Sequence, residues 1–341
     1  RREDGWRNYL LPQNQSSGKQ SPIEAADVPD DGYPDGKLAD LAIKTLETLG
    51  QSGRPFFLAV GFFKPHLPFT APKRYWDIYN PEVFDALPLD PRTQGAPEAA
   101  YPDHLELAGY KGIPKDEKVS PEKARTLRHG YYACVSYVDA QVGKLLAALE
   151  RLGLEDNTIV VLWGDHGYSL GEADHWCKDT NFEMDTRVPL FMRVPGLTKP
   201  GITTDAIVQY VDVYPTLAEL AGLAAPEGLD GRSIVPNLKD PALPGRSYAL
   251  SQFPRPFKPS QPQIMGYSIR TDTHRYTRWE QWPDRTVVAE ELYDYTSGAS
   301  VRQQGPFLVE RKNVADAPTY IETREQMRAV MDRAVDPVPA L

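Results

Sequence analysis

The chain has 341 residues, with 38 Lys and Arg against 47 Asp and Glu, a net charge of −9 and a sequence pI near 5.3. That length can bury a substantial core and suits one large domain plus a smaller one. The acidic balance argues against nucleic acid as a partner. It leaves room for an anionic substrate held in a local basic pocket. No apolar run approaches membrane-spanning length, so no membrane partner is expected.

The chain opens Arg1-Arg2-Glu3-Asp4, without Met and without a signal-peptide pattern, and the expectation is that it starts partway through a longer protein. Its first thirty-odd residues are polar and read as surface loop. Asp35-Gly36 precedes an amphipathic helix with Leu38, Leu41, Ile43, Leu46 and Leu49 as its apolar set, ending at Gly50. A short apolar run, Pro55–Gly61, then gives way abruptly to Lys64-Pro65-His66-Leu67-Pro68-Phe69. Residues 70–118 are rich in Pro, Asp, Tyr and Gly and lack periodicity, which suits either a binding or lid segment or an inert insertion.

Ser120 as N-cap and Pro121 at the first helical position open a long helix. Its apolar set is Leu127, Tyr131, Val135, Val138, Val142, Leu145, Leu146 and Leu149, and Gly153 closes it. The run Ile159-Val160-Val161-Leu162-Trp163 follows and leads into Asp165-His166-Gly167, with Lys178 a short loop later. Both apolar runs read as central strands of a parallel sheet. A helical crossover between parallel strands puts their carboxyl ends on one rim, where open α/β sheets place ligands. The two polar clusters are thus expected to meet at one mouth. Buried charges survive only when paired or metal-bound, so an acid, imidazoles and lysines collected there suit a cation and an anion held together.

A further strand is expected at 188–194, and a helix capped by Asp212 and stopped by Gly222. A Pro- and Gly-rich stretch from about 225 to 247 marks a boundary. Beyond it, 247–253, 266–271, 276–282 and 291–295 read as short antiparallel strands, and 317–334 as a final helix. Tyr267, Arg270, Arg275, Trp279 and Trp282 suit either a carbohydrate subsite or sheet packing. Cys134 reads as a small buried residue in the long helix, and Cys177 as packing near the site.

These segments resemble the sulfatase family, and within it the iduronate-2-sulfatase-like branch. The matching text is Pro55–Phe69, Gly164–Glu172 with Trp176 and Lys178, Thr186–Leu190, Ser251–Pro256, Met265–Thr271, Arg275–Thr277 and Glu291–Asp294. The resemblance implies an α/β fold with a mostly parallel sheet flanked by helices, followed by a smaller C-terminal antiparallel α+β subdomain. Residues 1–235 would be the C-terminal portion of the catalytic domain, and 236–341 the subdomain. It further implies that Asp165 and His166 ligate one divalent cation, calcium with magnesium as the alternative. His66 would serve the leaving oxygen, and Lys178 would bind the sulfate. Lys64, Tyr168 and His175 would border the substrate. Ala173 stands where many relatives carry a His, so His175 reads as a surface or pocket-wall residue.

The family's nucleophile, a formylglycine made in a C/S-x-P-x-R motif, has no match here, and Asp30-Asp31 does not qualify as the family's paired metal-binding aspartates. The chain alone is therefore expected to be inactive, with the nucleophile on an upstream segment or a companion chain. The substrate expected from the resemblance is a sulfated sugar or glycan. The location would be secreted, periplasmic or lysosomal. Two rival readings are a zinc-dependent phosphatase or phosphodiesterase of the same superfamily, and an inactive fragment that binds sulfated glycans.

Overall fold

The computed structural model describes residues 9–15, 19–86, 89–257, 263–304 and 307–335, so the opening Arg1–Asp4 lies outside the described residues. In chain order the elements are β1 (Ile23–Glu24), α1 (Pro34–Ser52), β2 (Phe69–Thr70), α2 (Lys73–Trp76), α3 (Pro121–Arg151), β3 (Val160–Trp163), β4 (Ser169–Leu170), β5 (Trp176–Cys177), α4 (Glu183–Thr186), β6 (Leu190–Arg193), α5 (Val213–Leu220) and α6 (Val235–Lys239). They continue as β7 (Ala249–Arg255), β8 (Ile264–Arg270), β9 (His274–Gln281), β10 (Val287–Asp294), β11 (Val301–Gln304), β12 (Phe307–Glu310) and α7 (Ile321–Val335). The chain forms two compact units. One comprises residues 1–90, 105–158 and 170–177; the other comprises 91–104, 159–169 and 178–341.

In the first unit α3 packs on α1, and β1 pairs in parallel with β2. Ser120 caps α3 by accepting a hydrogen bond from Lys123 N at 3.2 Å. The Tyr137 hydroxyl donates to the Asp30 carbonyl at 2.8 Å and accepts from Gly36 N at 2.6 Å, which ties the start of α1 to the middle of α3. Tyr33, Leu67, Phe69, Leu127 and Tyr137 are buried around that junction.

In the second unit β3 and β6 pair antiparallel, Val160 opposite Arg193 and Trp163 opposite Leu190. The strands β7 to β10 form an antiparallel meander in the order β10-β9-β8-β7. Period-two alternation splits its side chains between two cores. Ile269, Tyr276 and Leu292 pack with Met327 and Met331 of α7. Trp279 and Tyr293 pack with Tyr101 and Phe182.

The α/β architecture and the antiparallel C-terminal meander follow the sequence expectation. Other expectations give way. Pro55–Gly61 carries no strand ladder; its residues alternate between exposed and half-buried, with Phe57 82% exposed. It keeps the period of a strand, but among the described residues no neighbour supplies the hydrogen bonds a ladder needs. The expected parallel partnership with β3 is accordingly not formed, and β3 pairs with β6 instead. Helix α1 begins at Pro34 and buries Asp35, Gly36, Ala39, Ala42 and Leu46, while Leu41 faces outward. Helix α3 buries Gly130, Ala133, Cys134, Tyr137 and Gln141, while Val135 and Leu146 are exposed. Leu127 and Leu149 of the expected stripe are buried as well, and Gly130 lies against Phe69 and Trp76, where a side chain would collide.

The amino-terminal stretch is not simply surface loop. The buried Glu24 carboxylate accepts from Leu10 N, Leu11 N, Asn14 and the Tyr33 hydroxyl. Asp30 is buried too, paired with Arg74 and with Lys144, the latter at 2.7 Å.

Candidate active site

Lys64 and His66, in the first unit, sit on a turn held from below by Asp35 in the first turn of α1. The Asp35 carboxylate accepts from Phe63 N at 3.0 Å and from Lys64 N at 2.9 Å. Burial raises the Asp35 pKa, and those two backbone bonds oppose the rise. Lys64 is buried, and its ammonium donates to the His66 carbonyl at 3.0 Å and to the Pro68 carbonyl at 2.5 Å. Burial lowers its pKa. The side chain expected at the substrate thus braces the turn that carries the histidine.

The His66 ring lies between two acceptors. Its Nδ1 is 2.7 Å from the Leu67 carbonyl, and its Nε2 is 3.3 Å from a Glu106 carboxylate oxygen. A carbonyl can only accept, so Nδ1 carries a proton. His175 belongs to the same unit and is buried, which corrects the surface alternative; Glu117 interacts with it electrostatically. Burial pushes the Glu117 carboxyl up to about 7.

Asp165 and His166, in the second unit, follow β3 directly. The Asp165 side chain is 86% exposed, and its Oδ1 accepts from His166 N at 3.0 Å. The His166 Nδ1 faces the Gly167 carbonyl at 2.7 Å and must donate to it. That fixes the tautomer of a neutral ring and leaves the Nε2 lone pair available, 3.7 Å from Asp165 Oδ2. Two ligands about 2.4 Å from one ion lie roughly 3.4–3.9 Å apart at near-octahedral angles. The pair therefore fits one edge of a cation shell. One carboxylate and one imidazole cannot complete it, and no cluster of three or more acidic, His or Cys ligands occurs among the described residues.

Sequence reasoning missed three residues that hold these parts. Gly167 N donates to the Asp185 carbonyl at 2.8 Å, and the buried Asp185 carboxylate accepts from the Ser169 hydroxyl at 2.8 Å and from Thr180 N at 3.0 Å. Tyr210 donates to the Gly164 carbonyl, and burial together with the nearby Asp165 charge raises its hydroxyl to about 12. Glu106 faces His66. Only the Asp212 capping signal pointed near any of them: its carboxylate accepts from Gln209 N, at the start of the turn that carries Tyr210. Tyr168 is buried and Lys178 half-buried, both in the second unit with Asp165. Cys134 and Cys177 are buried and not disulfide-bonded; burial pushes the Cys134 thiol up to about 12.

An α/β fold thus carries an acid–imidazole turn at the end of β3 and a C-terminal antiparallel meander. The chain belongs to the sulfatase family, whose profile matches residues 3–223. The profile of the N-sulphoglucosamine sulphohydrolase C-terminal region matches 171–336. The chain is 35% identical to human iduronate 2-sulfatase over 345 residues, covering 80% of this chain and 62% of that protein. It is also 35% identical to the choline-sulfatase of Rhizobium meliloti over 210 residues, covering 59% of this chain and 40% of that one. This chain therefore spans less than two thirds of the length of these relatives.

Among solved structures, the phosphonate monoester hydrolase of Silicibacter pomeroyi superposes with a TM-score of 0.76 at 24% identity, covering 98% of this chain and 66% of that one. A protein solved with its substrate D-glucosamine-2-N,6-O-disulfate gives 0.71 at 22% identity, covering 89% of this chain and 69% of that one. At these identities the likeness speaks for the fold.

Proposed function

We propose that this chain is part of an enzyme that hydrolyses sulfate esters, with a sulfated carbohydrate as substrate in the manner of the iduronate 2-sulfatases. The observation that carries the reading is the sulfatase match over residues 3–223; within that span we assign the chemistry to Asp165, His166, His66 and Lys178. In this reading residues 1–235 complete the catalytic domain and 236–341 form the subdomain.

Asp165 and His166 would hold one divalent cation, calcium by preference for hard oxygen donors, together with ligands from elsewhere in the protein. When bound, the cation withdraws charge from the sulfate oxygens. Lys178 would neutralise the same oxygens, a preorganised positive charge aimed where negative charge grows. His66 would give its Nε2 proton to the departing alcohol. Tyr168 and His175 would border the sugar, and Lys64 would act through the turn it braces. The nucleophile, a formylglycine in the family, would lie upstream, so the chain by itself would not turn over.

In the full-length protein, His66→Ala is expected to lower kcat by about 10²–10⁴-fold, and Lys178→Ala by about 10²–10³-fold. Circular dichroism should be unchanged, and this chain alone should show no turnover. Wild-type rates in either variant would end the assignment. A bound zinc with an unmodified Ser or Thr nucleophile would shift it to the phosphatase branch of the superfamily.

A further inference from the structure

We infer that Glu106 is a positioning residue for His66, holding the imidazole doubly protonated and oriented so that Nε2 presents a proton to the leaving oxygen. The inference rests on the reading of His66 as the proton donor, and it adds a residue from the aperiodic 70–118 segment.

Nδ1 donates to the Leu67 carbonyl at 2.7 Å, which fixes the ring plane. That bond alone would allow a neutral ring with a bare Nε2, which has no proton to give. Nε2 instead faces the Glu106 carboxylate at 3.3 Å. An ionised carboxylate only accepts, so the pairing favours a proton on Nε2 as well. At 3.3 Å the contact is longer than a closed charge-assisted bond of about 2.7–2.9 Å. The carboxylate therefore supplies charge without locking the N–H away from a third partner.

The surroundings make that charge necessary. Lys64 places its ammonium on the carbonyl of His66 itself, a cation that works against protonating the ring. Asp35 lies beneath the turn, with its carboxylate on the Phe63 and Lys64 amides. Glu117 stands behind Glu106: its carboxylate accepts from Ala108 N, it feels the Glu106 charge, and it interacts with His175. Glu106 brings a carboxylate oxygen to 3.3 Å from Nε2. The His66 and Glu106 side chains are 31% and 17% exposed, so solvent screens the pair only partly.

The chemistry balances. The sulfur–oxygen bond to the leaving group breaks as one forms to the hydroxyl oxygen of the upstream nucleophile, whose proton passes to solvent. The electron pair stays on the leaving oxygen, which takes the Nε2 proton. His66 ends neutral, with Nδ1–H still on Leu67, and regains its proton from solvent under the influence of Glu106.

The test uses the full-length protein with Glu106→Gln, Glu106→Asp and His66→Ala. In Glu106→Gln the NMR titration midpoint of the His66 ring should fall by about one pH unit, because an opposite charge at this range favours the charged ring by at least that much. The alkaline limb of kcat/KM should move down with it. The loss should be larger for an alkyl sulfate than for 4-nitrophenyl sulfate, whose leaving group needs less protonation, and KM should hold. Glu106→Asp, which keeps the charge, should restore most of both shifts. An unmoved midpoint in Glu106→Gln overturns the inference. So does an unmoved alkaline limb while His66→Ala is inactive, which leaves the sulfatase reading intact. Full turnover in His66→Ala overturns both.

Discussion

Gly167 is the residue on which the acid–imidazole turn depends most directly. A Cβ built there would lie 1.9 Å from the Met184 carbonyl oxygen, a backbone atom that cannot swing aside. The same residue donates its N–H to Asp185 and accepts the His166 ring on its carbonyl. Gly167→Ala is expected to cost about 1–3 kcal/mol, as overpacking does, and to weaken binding at the proposed cation site by displacing His166. A thermal melt with and without calcium reads both effects. Asp165, His166, His66 and Lys178 were readable in the sequence as candidates because their types carry chemistry, and Asp165 and His166 follow β3 directly. Glu106 and Asp185 were not: each is one acid among 47 acidic residues, and only the folded backbone shows what it faces.

The meander is fastened by a buried charge cluster. The Arg275 guanidinium donates to Glu183 at 2.7 Å and to the Tyr295 hydroxyl at 3.0 Å, and lies 3.4 Å from Glu310. Burial works against its charge, yet these neighbours raise its pKa overall. Arg270 also donates to Glu183, at 3.0 Å, so that carboxyl is held low against burial, while burial raises Glu310. Arg275→Met would leave acids buried without their main counter-charge, at an expected cost of about 3–5 kcal/mol; urea unfolding followed by tryptophan fluorescence measures it. The strands of the meander were readable from alternation and turn residues. The inward face of α3 was readable only in part: Leu127 and Leu149 are buried as their spacing suggests, whereas buried small residues such as Gly130 and Ala133 give periodicity little to count. Arg275 and Trp279, offered as a carbohydrate subsite or as sheet packing, are buried and belong to the packing.

Across the whole molecule, two sets of carboxyls pull stability in opposite directions with pH. For Asp30, Glu183, Asp212, Glu290 and Asp294, hydrogen bonds and cations outweigh burial and lower the folded pKa. Below the ordinary carboxyl range the unfolded state binds more protons at these sites, so their contribution is lost as pH falls through the folded values. Burial raises Glu117 and Glu291 to about 7. Between roughly pH 4.5 and 7 the folded state binds more protons there, so stability falls as pH rises through that window, by up to about 3 kcal/mol for each site. The melting temperature of the chain should therefore peak near about pH 5 and decline toward pH 8. Glu291→Gln, which keeps an acceptor for the Trp279 indole N–H, should flatten the decline; an unchanged slope would show that Glu291 ionises normally. The general architecture was visible from the order of runs and turns, whereas the division into two units was not. Both thiols, Cys134 and Cys177, fall in the first unit and are hidden from solvent. An alkylating reagent can reach them only while that unit is open, so the labelling rate is a clock for one half of the molecule, read without disturbing the other.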